Sequence, residues 1–170
     1  DGIRDYKVTG VQTCALPISY AWTQAQADLN AMGDDYVFEI VEADSGCDGT
    51  VAQTAAQTLV DSGVVAVAGA ACSGASMGAN AVLSAAGIPM ISYASTSPAL
   101  SSDTDHPHFY RIVPSDALQG QAAADMIAAS GVNNTAVIHM TNAYGAGLAD
   151  AVVANLGAEN VCLQAGRSEE

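Results

Sequence analysis

The sequence predicts an α/β protein, with Rossmann-like parallel sheets and helices on both faces, and three observations carry that expectation. Short apolar runs alternate with longer stretches of helical periodicity along most of the 170 residues. Half of the residues are hydrophobic but only 5% are aromatic, so Ala and Val must supply the core, as suits helices packed closely on a sheet. Gly33, Gly63, Gly87 and Pro114 fall between these stretches as stop signals.

In chain order, residues 19–32 carry Ala21, Ala25, Leu29 and Met32 at helical spacing and stop at Gly33. Residues 36–43 alternate as a strand whose polar members are Glu39 and Glu42. A turn-rich loop follows, from which Asp48 caps a helix over 50–62 with Val51, Ala55, Leu59 and Val60 on one face. The apolar run 64–68 predicts a strand covered on both faces. Gly69 breaks it, and a helix follows Ser73 to about Ala86. Residues 88–92 and 109–113 predict short strands flanking the hydroxyl-rich loop 93–102. Ser115 or Asp116 caps a helix over 117–130, with Ala122, Met126, Ile127 and Ala129 as a narrow apolar face. Residues 135–140 predict another buried strand, 142–145 a turn, 146–156 a helix and 160–164 a last strand. This alternation implies parallel strands joined by right-handed crossovers, with ligands bound at the carboxyl ends of the strands.

The two ends stand apart. Residues 1–18 show neither a signal-peptide core nor a usable strand–helix pattern, and they hold Arg4 and Lys7, two of the four basic residues. They resemble translated sequencing-adaptor sequence, and residues 166–170 resemble the start of another such stretch. Both are expected to be non-native, which would remove Cys14 from the cysteine count and leave Arg111 as the one Lys or Arg between Ser19 and Ala165.

Charge excludes several functions. Four Lys and Arg against 18 Asp and Glu give a formal −14, a surface that repels phosphate backbones, so no nucleic-acid partner is expected. No apolar run reaches the roughly 18 residues that span a bilayer. The four cysteines form no C-x-x-C pair and hence give no zinc or thioredoxin signal. Cys47 and Cys72, in loops after successive strands, could approach each other at one edge of a sheet, and a disulfide there would imply an oxidising compartment.

The candidate chemistry gathers around VVAVAGAACSGASMG, residues 64–78. A strand, a tight loop and a helix N-terminus with small hydroxyls suit an anionic ligand, because unpaired N–H groups and the helix dipole point at it. Gly69 and Gly74 match the glycine spacing of a phosphate-binding loop, but Ala75 stands where the lysine is needed, so phosphoryl transfer is excluded. No G-x-G-x-x-G follows a strand. Residues 74–78 fit G-x-S-x-G, which would make Ser76 the nucleophile of an α/β-hydrolase with His139, yet Ser76 falls about two residues inside the helix rather than at its turn. His106 and His108, with Asp103 or Asp105, offer metal-ligand chemistry that a proline-containing surface loop explains as well, and no metal or other cofactor is expected. The three loops at the strand ends carry Ser73, then Ser95 and Thr96, then Tyr144, a neutral hydrogen-bonding set with one aromatic.

Four segments together carry a family likeness: GVVAVAGAACSGAS, AAGIPMISYASTSPAL, FYRIVPSDALQGQAAADMI and AVIHMTNAYGAGLADAV. They resemble the type I periplasmic solute-binding proteins of ABC transporters, above all the leucine/isoleucine/valine-binding group, in register from about Asp28 to Gln164. The resemblance implies two Rossmann-like lobes that close over a ligand, with residues 19–114 as an incomplete first lobe and 115–165 as the start of a second. It implies a disulfide between Cys47 and Cys72, a carboxylate-binding hydroxyl at Ser73, an ammonium-accepting carbonyl at Ala94 in the loop that continues through Ser95, a hydroxyl for the zwitterion at Thr96, and a second-lobe aromatic at Tyr144. It further implies a non-enzymatic monomer, periplasmic or extracellular and free or lipid-anchored, that delivers a small amino acid-like ligand to a membrane permease. A ligand-sensing receptor domain with the same lobes is the alternative within the binding class, and the Ser76 hydrolase is the alternative outside it.

Overall fold

The computed structural model describes residues 4–12, 16–33 and 36–168, so Cys14 lies outside the described residues. The chain divides into two compact units, Asp1–Ser95 with Asp103–Ile112, and Thr96–Ser102 with Val113–Glu170.

The first unit is a five-stranded, all-parallel sheet in the order β2-β1-β3-β4-β5. Its strands are β1 (Arg4–Gln12), β2 (Tyr36–Asp44), β3 (Ala66–Ala68), β4 (Met90–Ser92) and β5 (Phe109–Arg111), and its helices α1 (Leu16–Ala31), α2 (Gly49–Asp61) and α3 (Ser73–Ala85). Within residues 1–18, expected to lack a strand–helix pattern, residues 4–12 thus supply an interior strand and residues 16–18 the first turn of α1. The backbone reason is plain: β1 lies between β2 and β3 and pairs with both, and a strand there satisfies ladder groups that each neighbour would otherwise leave open.

Asp48 caps α2 as expected, its carboxylate accepting from the amides of Thr50 (2.8 Å) and Val51 (2.9 Å). The buried face of α2 is rotated from the expected one: Ala52, Ala55, Ala56 and Leu59 are inside, while Val51 is exposed. The cause is its neighbour. A Cβ on Gly78 of α3 would overlap the Gly49 carbonyl, and one on Gly49 would crowd the Gly74 carbonyl, so the two helices meet backbone to backbone through small residues. The expected face of α1 also fails, since Leu29 and Met32 are exposed. β3 is only partly covered: Val67 and Ala68 are buried and Val65, just before it, is exposed.

The second unit contains α4 (Asp116–Ala129), β6 (Thr135–Met140), α5 (Ala143–Leu156) and β7 (Val161–Arg167), with a 3-10 turn over Pro98–Ser101. β6 and β7 pair in parallel. Ser115 rather than Asp116 is the N-cap of α4, its hydroxyl accepting from the Ala117 amide. The predicted apolar face of α4 does not form: Met126 is 74% exposed, and Gly120 and Ala124 are buried instead. A Cβ on Gly120 would strike Ala151, so α4 and α5 come together through small residues and leave the larger side chains outside. β6, expected to be buried, exposes Ile138 by 71%, and β7 exposes Leu163. No helix of the described residues is long and apolar enough to cross a membrane.

Candidate functional site

Strand order reverses at β1, which sends β2 to one side and β3 to the other. In open parallel sheets that switch point, at the carboxyl ends of the strands, is where ligands bind. The chain leaving β3 there runs directly into the N-terminus of α3. Cys72 is the N-cap and Ser73 the first helical residue, so Ser73 itself does not cap. Cys72 is joined to Cys47 by a disulfide across a Cα separation of 5.3 Å, which ties the start of α3 to the loop after β2. Ser73 is 2% exposed, among the first-turn amides that give a helix its positive end.

A second loop reaches the same region from β4. Ser92 Oγ accepts from the amides of Ala94 (3.2 Å) and Ser95 (2.9 Å), bending the chain sharply after the strand. Ala94 is exposed, whereas the side chain of Ser95 is fully buried and bonded to the Ala70 and Ala71 carbonyls, both at 3.1 Å. Ser95 therefore faces the scaffold. Arg111, the cation of this region, brings Nη1 to 3.5 Å from the Ser95 carbonyl.

In the second unit, Thr96 Oγ1 donates to Asp116 Oδ2 at 2.7 Å, and the Thr96 carbonyl accepts from the Asp116 amide at 2.9 Å. Asp116 is fully buried at the first position of α4, where the helix dipole favours its charge. Its other oxygen, Oδ1, has no hydrogen-bond partner among the described residues. Sequence reasoning passed over this residue by treating it as an alternative cap. With Ser115 taking the cap, an acid left at the next position is the signal that could have found it. The segment carrying Thr96 rests on α5, where a Cβ on Gly147 would press on Pro98 and Ser97. Tyr144 lies one turn earlier on that helix, exposed, after the Asn142 cap that accepts from the Gly145 amide at 2.8 Å. The candidate residues thus fall in two sets: Ser73, Ala94 and Ser95 with the disulfide in the first unit, Thr96 and Tyr144 with Asp116 in the second.

Ser76 does not have the setting of a nucleophile. It is fully buried within α3, with its Oγ bonded to the Ala70 carbonyl (3.2 Å) and the Ser95 hydroxyl (2.7 Å) rather than to an imidazole. His139 Nδ1 pairs with the Met140 carbonyl at 2.8 Å. The loop with His106 and His108 is held by its backbone: Asn80 donates to the Pro107 carbonyl and the Met90 amide to the His108 carbonyl. Among the described residues no group of three or more His, Cys, Asp or Glu is arranged to hold a metal ion.

Known proteins share this fold. An ABC transporter substrate-binding protein from Desulfitobacterium hafniense superposes with a TM-score of 0.74 at 25% identity, over 98% of this chain and 51% of that one. A structure of an ABC transporter substrate-binding protein from the same organism, described as a complex with Leu, matches at 0.73 and 26%. An amino acid binding protein of Pseudomonas aeruginosa is 36% identical over 138 residues, 79% of this chain and 37% of that protein. Metabotropic glutamate receptor 6 of Rattus norvegicus is 44% identical over 82 residues, 48% of this chain and 9% of the receptor. The chain therefore spans about half of the solved structures and a smaller share of these curated relatives. Those relatives are ligand-binding proteins, either substrate-binding proteins or receptors. The family model described as the receptor family ligand binding region matches residues 14–170, and the chain belongs to that family.

Proposed function

We propose that the chain is the ligand-binding part of an extracytoplasmic solute-binding protein, taking an amino acid-like zwitterion and delivering it to an ABC transporter permease. In this reading the two units are the two lobes, each supplying part of the contacts, and ligand shifts the population toward a closed state. One observation supports it above all: the buried Asp116 carboxylate accepts from Thr96 on one oxygen and has no partner for the other among the described residues, the kind of charged acceptor that an ammonium group needs. The complementary end is the α3 N-terminus, where Ser73 and aligned amides hold a carboxylate without a lysine or arginine. Ala94 offers a carbonyl to the ammonium, and Tyr144 covers the side chain.

The poverty of cations narrows the ligand. One carboxylate takes up the α3 terminus, so a second on the ligand side chain would turn to a cationic partner, and residues 19–165 hold one Lys or Arg, Arg111. A neutral, apolar side chain such as that of a branched-chain amino acid, or a related amide, fits better.

Calorimetric titration with L-leucine tests the reading. Ser73→Ala combined with Thr96→Ala is expected to abolish binding, and Asp116→Asn to weaken it about a hundredfold, since an ammonium would lose its charged acceptor. Unchanged affinity in these variants would sink the assignment. A receptor-type sensing role is the second reading, favoured by the 44% identity to a metabotropic glutamate receptor. Tight binding of L-glutamate with no response to L-leucine would support it.

A further inference from the structure

Among the buried polar residues of the first unit, three serines gather at one point in a core built mostly of Ala, Val, Leu and Met. Ser76, Ser92 and Ser95 are all fully buried, and all three converge on one atom, the Ala70 carbonyl oxygen, at 3.2, 2.6 and 3.1 Å. Ser76 and Ser95 also touch each other at 2.7 Å, and Ser95 reaches the Ala71 carbonyl at 3.1 Å. The hydrogens can be assigned without remainder. Ser92 donates to Ala70, Ser76 to Ser95 and Ser95 to Ala71, while the Ser92 oxygen accepts the Ala94 and Ser95 amides. If only packing were needed here, alanine would serve and would avoid the cost of desolvating three hydroxyls. A fully satisfied buried network instead fixes one geometry.

We propose that Ser92, supported by Ser76 and Ser95, is a positioning residue that locks the two ligand loops of the first unit together on the Ala70 carbonyl before ligand arrives. One loop, 69–72, leads into Ser73. The other, 93–95, presents Ala94. The latch sets the separation between the carboxylate anchor and the ammonium-accepting carbonyl, and hence the length of zwitterion that fits. None of the three hydroxyls is exposed, so the effect reaches a ligand only through backbone placement. The same contacts account for the G-x-S-x-G pattern around Ser76 without a nucleophile.

The inference rests on the proposed ligand site, so its test has one reading that needs no ligand. Amide hydrogen exchange is measured residue by residue on the full chain. Ser92→Ala should speed exchange at Ala94 and Ser95 by about tenfold, the loss of roughly one hydrogen bond each, with Ala55, Ala56 and Leu59 of α2 unchanged. Should that variant fail to fold, Ser92→Cys keeps a side chain in place but offers a weak acceptor, and the same acceleration is expected. Ser92→Thr, which retains the hydroxyl, should restore slow exchange. Wild-type exchange at Ala94 and Ser95 in the Ala or Cys variant, or no rescue by Thr, overturns the latch. In parallel, Ser92→Ala should weaken L-leucine binding by about tenfold. If the wild-type chain binds no L-leucine, the ligand reading fails on its own and the exchange rates alone decide the latch.

Discussion

The two units meet the same requirement, holding polar groups at the ends of parallel strands, by opposite means. In the first, the groups are tied down before any ligand is present, by a disulfide at the start of α3 and three buried hydroxyls gathered at one carbonyl. In the second, Thr96 and Asp116 hold each other, Tyr144 is exposed, and the β6–β7 sheet leaves Ile138 and Leu163 open. The contrast teaches where binding energy is spent. On the proposed reading, a loop already fixed loses little entropy on meeting a ligand, whereas an exposed side chain such as Tyr144 must be ordered by it.

Core truncation should break the contrast most sharply. Leu83, fully buried on α3, sits in the rigid unit, and Leu83→Ala should cost about 2–5 kcal/mol in chemical denaturation. Next is the disulfide: Cys47→Ser with Cys72→Ser removes a link across a sequence separation of 25, worth about 3 kcal/mol on the chain-entropy account, read as a lower midpoint that reductant no longer changes. Gly78→Ala forces α3 away from the Gly49 carbonyl and should cost about 1–3 kcal/mol, with loss of near-ultraviolet signal before loss of helix. Ile138→Ala, by contrast, should change stability by less than about 0.5 kcal/mol, because the side chain is 71% exposed. A large loss at Ile138 would mean that the second unit is as closed as the first.

Much of this contrast was legible in the sequence, and the rest failed for identifiable reasons. Glycine and proline punctuation located α2, α3, β4, α4 and α5 to within a few residues, since breakers act locally. The pairing of Cys47 with Cys72 was implied by the family likeness, while their loops after successive strands only left room for it. Helix faces were misread wherever small residues decide the contact: Met126 and Val51 look like core by hydrophobicity, but Gly120, Ala124, Gly49 and Gly78 set the close approach. Hydropathy weighs side chains and is blind to backbone meeting backbone. β1 escaped notice because its reason for being a strand lies in its neighbours rather than in its own pattern. Asp116 and Ser92 escaped for a related reason, as their importance lies in tertiary partners 20 and 22 residues away, Thr96 and the Ala70 carbonyl.

The smallest expected effect tests how dry the rigid unit is beside its ligand loop. Tyr93 lies in that loop with its hydroxyl buried and without a hydrogen-bond partner among the described residues, and burial pushes its phenol above the usual range. The folded state therefore holds the proton more tightly than the unfolded chain. The stability linked to this group is fully present below the ordinary phenol value of about 10, and is lost as pH rises from there through the higher folded value. Tyr93→Phe removes the dependence. Because the hydroxyl is buried and makes no bond to lose, the variant should be at least as stable as wild type in denaturation at neutral pH and gain on it further above about pH 10. Parallel curves for the two proteins through that range would show that water reaches the loop, and would place the boundary of the preorganised region short of Tyr93.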